Sequence, residues 1–140
     1  MAANAAGVHL GQNDLPVRHA RKLLGNGKII GASAKTVAQA EKATEEGADY
    51  LGVGAIYPTT TKVATVITEV SMMNEIAGRT GLPTVAIGGL NASNIHVLYN
   101  SMADGIAVVS AIMRSSDPRA AATSLKALVL SNFRSKRIMY

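Results

Sequence analysis

The chain contains a set of glycine, hydroxyl, lysine and aspartate residues that follow apolar stretches and suit phosphate binding. The clearest case is Gly88-Gly89, which comes directly after the apolar residues Val85, Ala86 and Ile87. Paired glycines allow a sharp turn and leave backbone amides uncovered, and such amides at the start of a helix bind anions, above all phosphate. The other residues in comparable positions are Gly11, Gln12, Asp14, Ser33, Thr59, Thr60, Thr61, Lys62 and Ser110.

These residue types favour phosphate binding over acid–base or nucleophilic catalysis, because no acid–base pair and no nucleophile with its base stands out among them. Asp14 adds a carboxylate that suits a hard cation such as Mg²⁺. Simpler explanations stay open, since a lone Gly-Gly is often an ordinary turn, Asp14 a turn residue and Lys62 a solvated cation. His9, His19 and His96 lie far apart without metal-ligand spacing, which predicts structural or surface roles.

Apolar runs alternate with helix signals along the chain, and this alternation predicts an α/β fold. Predicted strands cover residues 7–11, 28–33, 49–56, 83–87 and 104–110, and predicted helices cover residues 16–24, 36–47, 69–79, 91–101 and the stretch after Pro118. Such a rhythm is typical of a parallel sheet with right-handed crossovers. It leaves two architectures open, a five-stranded doubly wound sheet and part of an eight-fold βα barrel. Both place functional residues at the carboxyl ends of the strands.

The composition is that of one domain with an aliphatic core, because the 140 residues are 48% hydrophobic with one Phe and no Trp. The absence of cysteine excludes disulfides and thiolate chemistry. The net charge of +5 favours a small phosphate ligand over nucleic acid, since no aromatic residues are interleaved with the basic ones. No apolar run has the length of a membrane span and the first residues lack signal-peptide features. We therefore expect a cytoplasmic protein without a membrane or nucleic-acid partner.

Four stretches of the sequence together resemble thiamine phosphate synthases. They are residues 7–12 with Asp14, residues 50–62, residues 86–90 and residues 104–112, in the family's order and with its gaps. The resemblance spans residues 7–118 of a single domain that covers residues 1–140, with disorder expected at 1–6 and 132–140. It implies an α/β fold of the (β/α)8 TIM-barrel family, of which about the last five βα units are present as an incomplete barrel.

The resemblance also implies an activity and a set of site residues. The family condenses 4-amino-2-methyl-5-pyrimidinylmethyl diphosphate with thiazole phosphate to thiamine monophosphate and pyrophosphate. Pyrophosphate leaves first, and the thiazole nitrogen attacks the resulting carbocation, so positioning and charge neutralisation matter more than a base. By resemblance, the Mg²⁺ ligand is Asp14, the catalytic contacts to the diphosphate are Ser33 and Lys62, the thiazole phosphate pocket includes Thr59, Thr60 and Thr61, and its phosphate cradle is formed by Gly88, Gly89, Val109 and Ser110.

Some features depart from the family's pattern. About three βα units with an Arg-x-Lys and an Asn-Asp motif are missing ahead of the matched stretches, and Lys35 stands where the family usually has histidine. We therefore predict that the chain alone is poorly stable and weakly active or inactive. The alternatives are a non-catalytic phosphate-binding remnant and a thiazole tautomerase, although Lys35 argues against the latter. The family further suggests an oligomer or a fusion to a hydroxyethylthiazole kinase domain.

Overall fold

The structure is a computed structural model that describes residues 4–58 and 66–133. The strands are β1 Gly7–Leu10, β2 Ile29–Ala34, β3 Tyr50–Val53, β4 Thr84–Ile87 and β5 Gly105–Ala107. The α-helices are α1 Val17–Leu24, α2 Val37–Glu45, α3 Val70–Thr80, α4 Ser110–Met113 and α5 Pro118–Asn132, and a 3₁₀ helix covers Ile95–Leu98. The predicted alternation of strands and helices is therefore confirmed.

Helix ends fall where the capping residues predict them. The Thr36 hydroxyl accepts a hydrogen bond from the amide of Gln39 at 3.3 Å at the start of α2. The Asp117 carboxylate accepts one from the amide of Ala120 at 2.9 Å at the start of α5. Gly81 adopts the left-handed conformation with φ 64° and ends α3. Local sequence signals therefore define the helices that flank the sheet.

The five strands are all parallel and lie side by side in the order β1-β2-β3-β4-β5. A doubly wound sheet would reverse its strand order at a switch point, and the described sheet has none. Because each right-handed crossover leads to the next strand in the same direction, the helices lie on one face of the sheet. This is the arrangement of successive units of a βα barrel, as the sequence resemblance implied, with β1 and β5 as the two edges of the described sheet.

The two faces of the sheet differ in burial, because successive side chains of a strand point to opposite faces. On the helix face, Ile30 and Leu51 are fully buried and pack in one core with Met73 of α3. On the opposite face, which we call the inner face, Ile29 is 54% exposed and Ile87 is 37% exposed. The core therefore lies between sheet and helices, and the described residues leave the inner face open to solvent.

Two aspartates tie neighbouring strands together at the amino ends of the sheet. The Asp49 carboxylate accepts hydrogen bonds from the Ile30 amide at 2.7 Å and from the Arg21 guanidinium at 2.6 Å. Asp104 accepts one from the Thr84 amide at 2.7 Å. The hydrogen bond from the Ile30 amide, together with Arg21, holds the pKa of Asp49 below its ordinary value, although burial opposes the shift. This end of the sheet therefore serves stability, and the carboxyl ends remain for function.

The helix predicted over residues 91–101 is wrong. After Leu90 the chain forms a turn, and within this range the structure has a single short 3₁₀ helix, Ile95–Leu98. The Asn91 amide donates to the Asn94 side chain at 2.8 Å, and the Asn91 side chain accepts from the Ser93 amide at 2.9 Å. Asparagine side chains that bond nearby backbone groups compete with a helix, which explains the difference.

The last strand is shorter than predicted. Residues 104–110 were expected to be extended, but β5 covers Gly105–Ala107 and Ser110 is the first residue of α4. Val109 at the start of α4 accepts hydrogen bonds from the amides of Ile112 and Met113 at 3.1 and 2.9 Å. The strand therefore ends at Ala107, and Ser110 begins a short helix instead of extending the strand.

The described ends of the chain are in contact with the fold. The Ala6 carbonyl accepts a hydrogen bond from the Ile29 amide at 3.1 Å, next to β1, and α5 extends to Asn132. The remaining terminal residues for which disorder is predicted, 1–3 and 134–140, lie outside the described residues. Within the described ranges, no helix has the length and apolarity needed to cross a bilayer.

Candidate functional site

A cavity of about 460 Å³ lies at the carboxyl ends of the strands. Its walls come from the carboxyl ends of β2, β3, β4 and β5 and from the segments that follow all five strands. In parallel βα folds this is the end at which ligands bind. The lining residues are Gly11, Gln12, Asn13, Ser33, Lys35, Gln39, Gly52, Gly54, Ala55, Ile87, Gly88, Gly89, Leu90, Ala107, Val108, Val109 and Ser110.

Gly88 and Gly89 form one wall of this cavity, and both positions need glycine. Their φ angles are 96° and 65°, a region that other residues rarely adopt. A Cβ atom on Gly88 would lie 2.5 Å from the Ala55 Cβ, and one on Gly89 would lie 2.6 Å from the Pro58 carbonyl oxygen. The turn is therefore packed closely against the segment after β3, with the Tyr57 amide bonded to the Gly88 carbonyl at 3.1 Å.

The structural reason for anion binding at this turn differs from the one that the sequence suggested. The predicted α-helix at Asn91 is absent, so the Gly88-Gly89 turn does not lead into an α-helix N-terminus within the described chain. The Gly89 carbonyl instead accepts a hydrogen bond from the Asn94 side chain at 2.9 Å. The turn contributes half-buried backbone without side chains to the cavity wall, next to Val109 and Ser110 on the neighbouring segment.

Ser33, near the end of β2, and Lys35, directly after β2, form a polar wall. The Ser33 carbonyl accepts a hydrogen bond from the Gln12 side chain at 2.6 Å, which ties this wall to the segment after β1. The Lys35 amide donates to the Gln39 side chain at 2.8 Å, and Lys35 forms no ion pair among the described residues. Sequence reasoning noted Lys35 only as a departure from the family's pattern, but the structure places this cation at the cavity.

Sequence reasoning missed the connection of His9 to the site. The two imidazole nitrogens lie 2.9 Å from the Tyr50 hydroxyl oxygen and 2.9 Å from the Ser33 hydroxyl oxygen. These residues are 41 and 24 positions from His9 in the sequence. The register of the strands brings them together, since His9 pairs with Gly31 and Gly31 pairs with Tyr50. The Gly31 and Gly52 positions were the available signals, because glycine in a strand often marks a close approach.

The comparisons with known proteins agree with this geometry. The family model described as thiamine monophosphate synthase matches residues 1–112. The chain belongs to this family. A thiamine-phosphate synthase of Clostridium tetani is 46% identical over 125 residues, which cover 89% of this chain and 60% of the relative. One of Methanobrevibacter smithii is 43% identical over 136 residues, which cover 97% of this chain and 63% of the relative.

A solved structure gives the same answer for the fold. The thiamine phosphate pyrophosphorylase of Pyrococcus furiosus superposes with a TM-score of 0.84 at 36% identity, over 93% of this chain and 62% of that one. The chain therefore spans about 60% of the length of the thiamine-phosphate synthases that it resembles. Family and fold, which the sequence resemblance implied, are confirmed.

Several residues that the thiamine phosphate synthase resemblance implied are placed by the structure. Ser33, Gly88, Gly89, Val109 and Ser110 line the one cavity described above. Their roles toward substrate stay predictions. Thr59, Thr60, Thr61 and Lys62 lie outside the described residues, so the structure makes no statement about them.

Asp14 is exposed and lies in the turn after β1, beside the lining residues Gly11 and Gln12. One carboxylate oxygen accepts a hydrogen bond from the Gly11 amide at 2.7 Å, and the Asp14 amide donates back to the Gly11 carbonyl at 3.1 Å. No group of three or more His, Cys, Asp and Glu that could hold a metal occurs in the described ranges. Because Mg²⁺ is often held by one or two carboxylates plus substrate phosphates, Asp14 fits as one ligand of such an ion rather than as part of a protein cage.

Proposed function

We propose that the cavity binds the phosphorylated substrates of the thiamine-phosphate synthase reaction and that the chain contributes this phosphate-binding part of a transferase site. The observation that carries the proposal is the convergence of Ser33, Lys35, the Gly88-Gly89 turn and Ser110 on one cavity at the carboxyl ends of the strands. These groups offer hydroxyls, one cation and glycine backbone at the cavity wall, which together suit phosphate oxygens. The family to which the chain belongs supports the choice of substrates.

In this proposal the residues act by binding and orienting. Lys35 and the Ser33 hydroxyl would neutralise charge on the pyrimidine diphosphate as its carbon–oxygen bond breaks and pyrophosphate departs. Gly88, Gly89 and Ser110 would hold the thiazole phosphate, so that the thiazole nitrogen faces the pyrimidine methylene carbon and forms the new carbon–nitrogen bond. Asp14 would be the protein ligand of Mg²⁺, an ion that supplies further charge neutralisation on the diphosphate.

A second function, ligand binding without efficient turnover, is favoured by the exposure of the inner face. Ile87 beside the cavity is 37% exposed, and His9 is exposed as well. A reaction that passes through a carbocation needs a site that excludes water. Since the chain also spans about 60% of its relatives, we expect its turnover to lie far below that of the Clostridium tetani relative. The cytoplasmic location and the kinase-domain fusion stay predictions.

Calorimetric titration of the purified chain with pyrophosphate and with thiamine monophosphate, each with and without Mg²⁺, tests the proposal. We expect both ligands to bind, and Mg²⁺ to strengthen pyrophosphate binding. Lys35→Met should weaken pyrophosphate binding about tenfold, the loss typical of a charge-assisted hydrogen bond. Lys126→Met, which removes an exposed lysine on α5, is the matched control and should leave binding unchanged.

The outcomes separate the two functions. Thiamine monophosphate binding without Mg²⁺-dependent pyrophosphate binding would support the binding function and contradict the transferase. Steady-state formation of thiamine monophosphate at the rate of the full-length relative would contradict the expectation of weak activity. A failure of both ligands to bind would overturn the proposed site.

A further inference from the structure

Tyr50, His9 and Ser33 form a continuous hydrogen-bonded chain across β3, β1 and β2 on the inner face. The Tyr50 hydroxyl lies 2.9 Å from His9 Nδ1, and His9 Nε2 lies 2.9 Å from Ser33 Oγ. The rings of His9 and Tyr50 are tilted by 40° with centroids 5.4 Å apart. This series of hydrogen bonds ends at Ser33, which lines the cavity. Three strands therefore each contribute one polar group to a single path that ends at the site.

Two glycines make room for this path. A Cβ atom on Gly31 would overlap Cζ of Tyr50, and one on Gly52 would lie 2.9 Å from Cε1 of His9. Gly31 separates His9 from Tyr50 in one row of paired residues across the sheet. Strands in a sheet are about 4.8 Å apart, so two side chains in one row on alternate strands meet only if the middle residue is small. The backbone is thus shaped for the contact between His9 and Tyr50.

We infer that Tyr50 and His9 are positioning residues that make the Ser33 hydroxyl a hydrogen-bond donor toward the cavity. A phenol is a stronger acid than a serine hydroxyl, so Tyr50 O–H donates to Nδ1 and the imidazole proton resides on Nε2. Nε2–H then donates to Ser33 Oγ. Because a lone pair of Ser33 Oγ accepts this bond, the hydroxyl proton of Ser33 is free to donate in another direction. Ser33 lines the cavity, so a bound ligand would offer the acceptor there. An anionic phosphate oxygen is the acceptor that this arrangement suits.

The inference rests on the proposed function for the identity of the acceptor, but the tautomer of His9 does not depend on it. Two-bond ¹⁵N–¹H correlation spectra of the ¹⁵N-labelled full chain at pH 8, where an unperturbed imidazole is neutral, identify the protonated nitrogen. His9→Gln assigns the signals against His19 and His96. We expect the proton on Nε2. A proton on Nδ1, alone or together with Nε2, would overturn the inference whether or not any phosphate binds.

A double-mutant cycle on pyrophosphate binding supplies a second test. Ser33→Ala should weaken binding about tenfold, and Tyr50→Phe by about three- to tenfold, the range of a single hydrogen bond. In the Ser33→Ala background, Tyr50→Phe should have no further effect, because the two residues act through one path. Tyr99→Phe is the matched control. An equal loss of affinity from Tyr50→Phe in both backgrounds would contradict the proposed path from Tyr50 to Ser33. If the wild-type chain binds no pyrophosphate, the proposed function fails, and the tautomer of His9 alone decides the inference.

Discussion

At the scale of single residues, Asp49 and Asp104 perform the same task at two places in the sheet. Each follows an alanine, directly precedes a strand and accepts a hydrogen bond at 2.7 Å from an amide of the strand before it in the sequence. The backbone bond is reciprocal in both cases, since the Asp49 amide donates to Ile30 and the Asp104 amide to Thr84. The two carboxylates therefore fix the register of two strand pairs at the end of the sheet away from the cavity.

Asp49→Asn should lower the free energy of unfolding by about 1 kcal/mol at pH 7, because a charged acceptor becomes a neutral one at a site open to solvent. A carboxylate whose folded-state pKa lies below its unfolded value stabilises the fold above that unfolded value, and the contribution is lost as pH falls through the folded pKa. The difference between wild type and variant should therefore shrink once the pH drops below about 3.8, the ordinary value for this group.

Urea denaturation at pH 7 and at successively lower pH measures this difference. Glu75→Gln, at an exposed position of α3, is the control and should show almost no change at any pH. An Asp49→Asn penalty of equal size at both ends of the pH range would mean that the charge of Asp49 is not what stabilises the strand pair.

The candidate site was predictable from the sequence only as far as local patterns reach. Ser33 ends a predicted strand and the Gly88-Gly89 turn follows one, so their place at the carboxyl ends of the strands is predictable from the sequence alone. The contact between His9 and Tyr50 depends on the register of three strands, and a shift of one residue would send these side chains to the other face. No local pattern contains that information.

At the scale of elements, every predicted strand exists, whereas one helix prediction, residues 91–101, failed where side chains compete for backbone groups. Helices with clear caps, such as those after Thr36 and Asp117, begin as predicted. The stretch after Leu90 is a turn with a short 3₁₀ helix because asparagine side chains accept hydrogen bonds from its amides. The Gly88-Gly89 turn is therefore held in place by an asparagine side chain that follows it in the sequence and by a hydrogen bond from the segment after β3.

Gly88→Ala tests how tightly this turn is packed. We expect a loss of about 2 kcal/mol in unfolding free energy, because the new Cβ would overlap the Cβ and Cα of Ala55 at 2.5 and 2.7 Å. Gly25→Ala is the matched control: Gly25 also has a positive φ, 69°, but a Cβ there meets nothing within 4 Å. Thermal denaturation compares the two, and an equal cost for both would show that backbone conformation, not packing against Ala55, requires glycine at position 88.

At the scale of the whole molecule, the described sheet has two edges and one covered face. β1 and β5 each pair with one neighbour, and the inner face carries exposed apolar side chains such as Ile29. Unpaired strand edges and exposed apolar surface favour association with further strands. The incomplete barrel that the sequence implied is therefore also the physical reason to expect low stability of the chain by itself.

The match leaves part of the Clostridium tetani relative uncovered, and this part can be prepared as a separate polypeptide. We expect that polypeptide to raise the thermal midpoint of this chain, because it would pair with the unpaired edges of β1 and β5. Differential scanning fluorimetry of the mixture measures the shift. Val8→Lys places a charge on the edge strand β1, where Val8 is 37% exposed, and should reduce the shift. Leu130→Lys, a comparable change on exposed α5, should not, and equal shifts for both variants would exclude the β1 edge as the binding surface.

The position of Tyr50 has a practical consequence for optical spectroscopy. The sequence has four tyrosines and no tryptophan, so tyrosine emission is not masked by a stronger fluorophore. The Tyr50 hydroxyl is hydrogen-bonded to an imidazole that is one step from the cavity. Excited-state proton transfer to such a base quenches the fluorescence of a phenol. A ligand that accepts a hydrogen bond from Ser33 should therefore change the fluorescence quenching of Tyr50. Subtracting the emission of Tyr50→Phe from that of the wild type therefore isolates an intrinsic, label-free signal of occupancy.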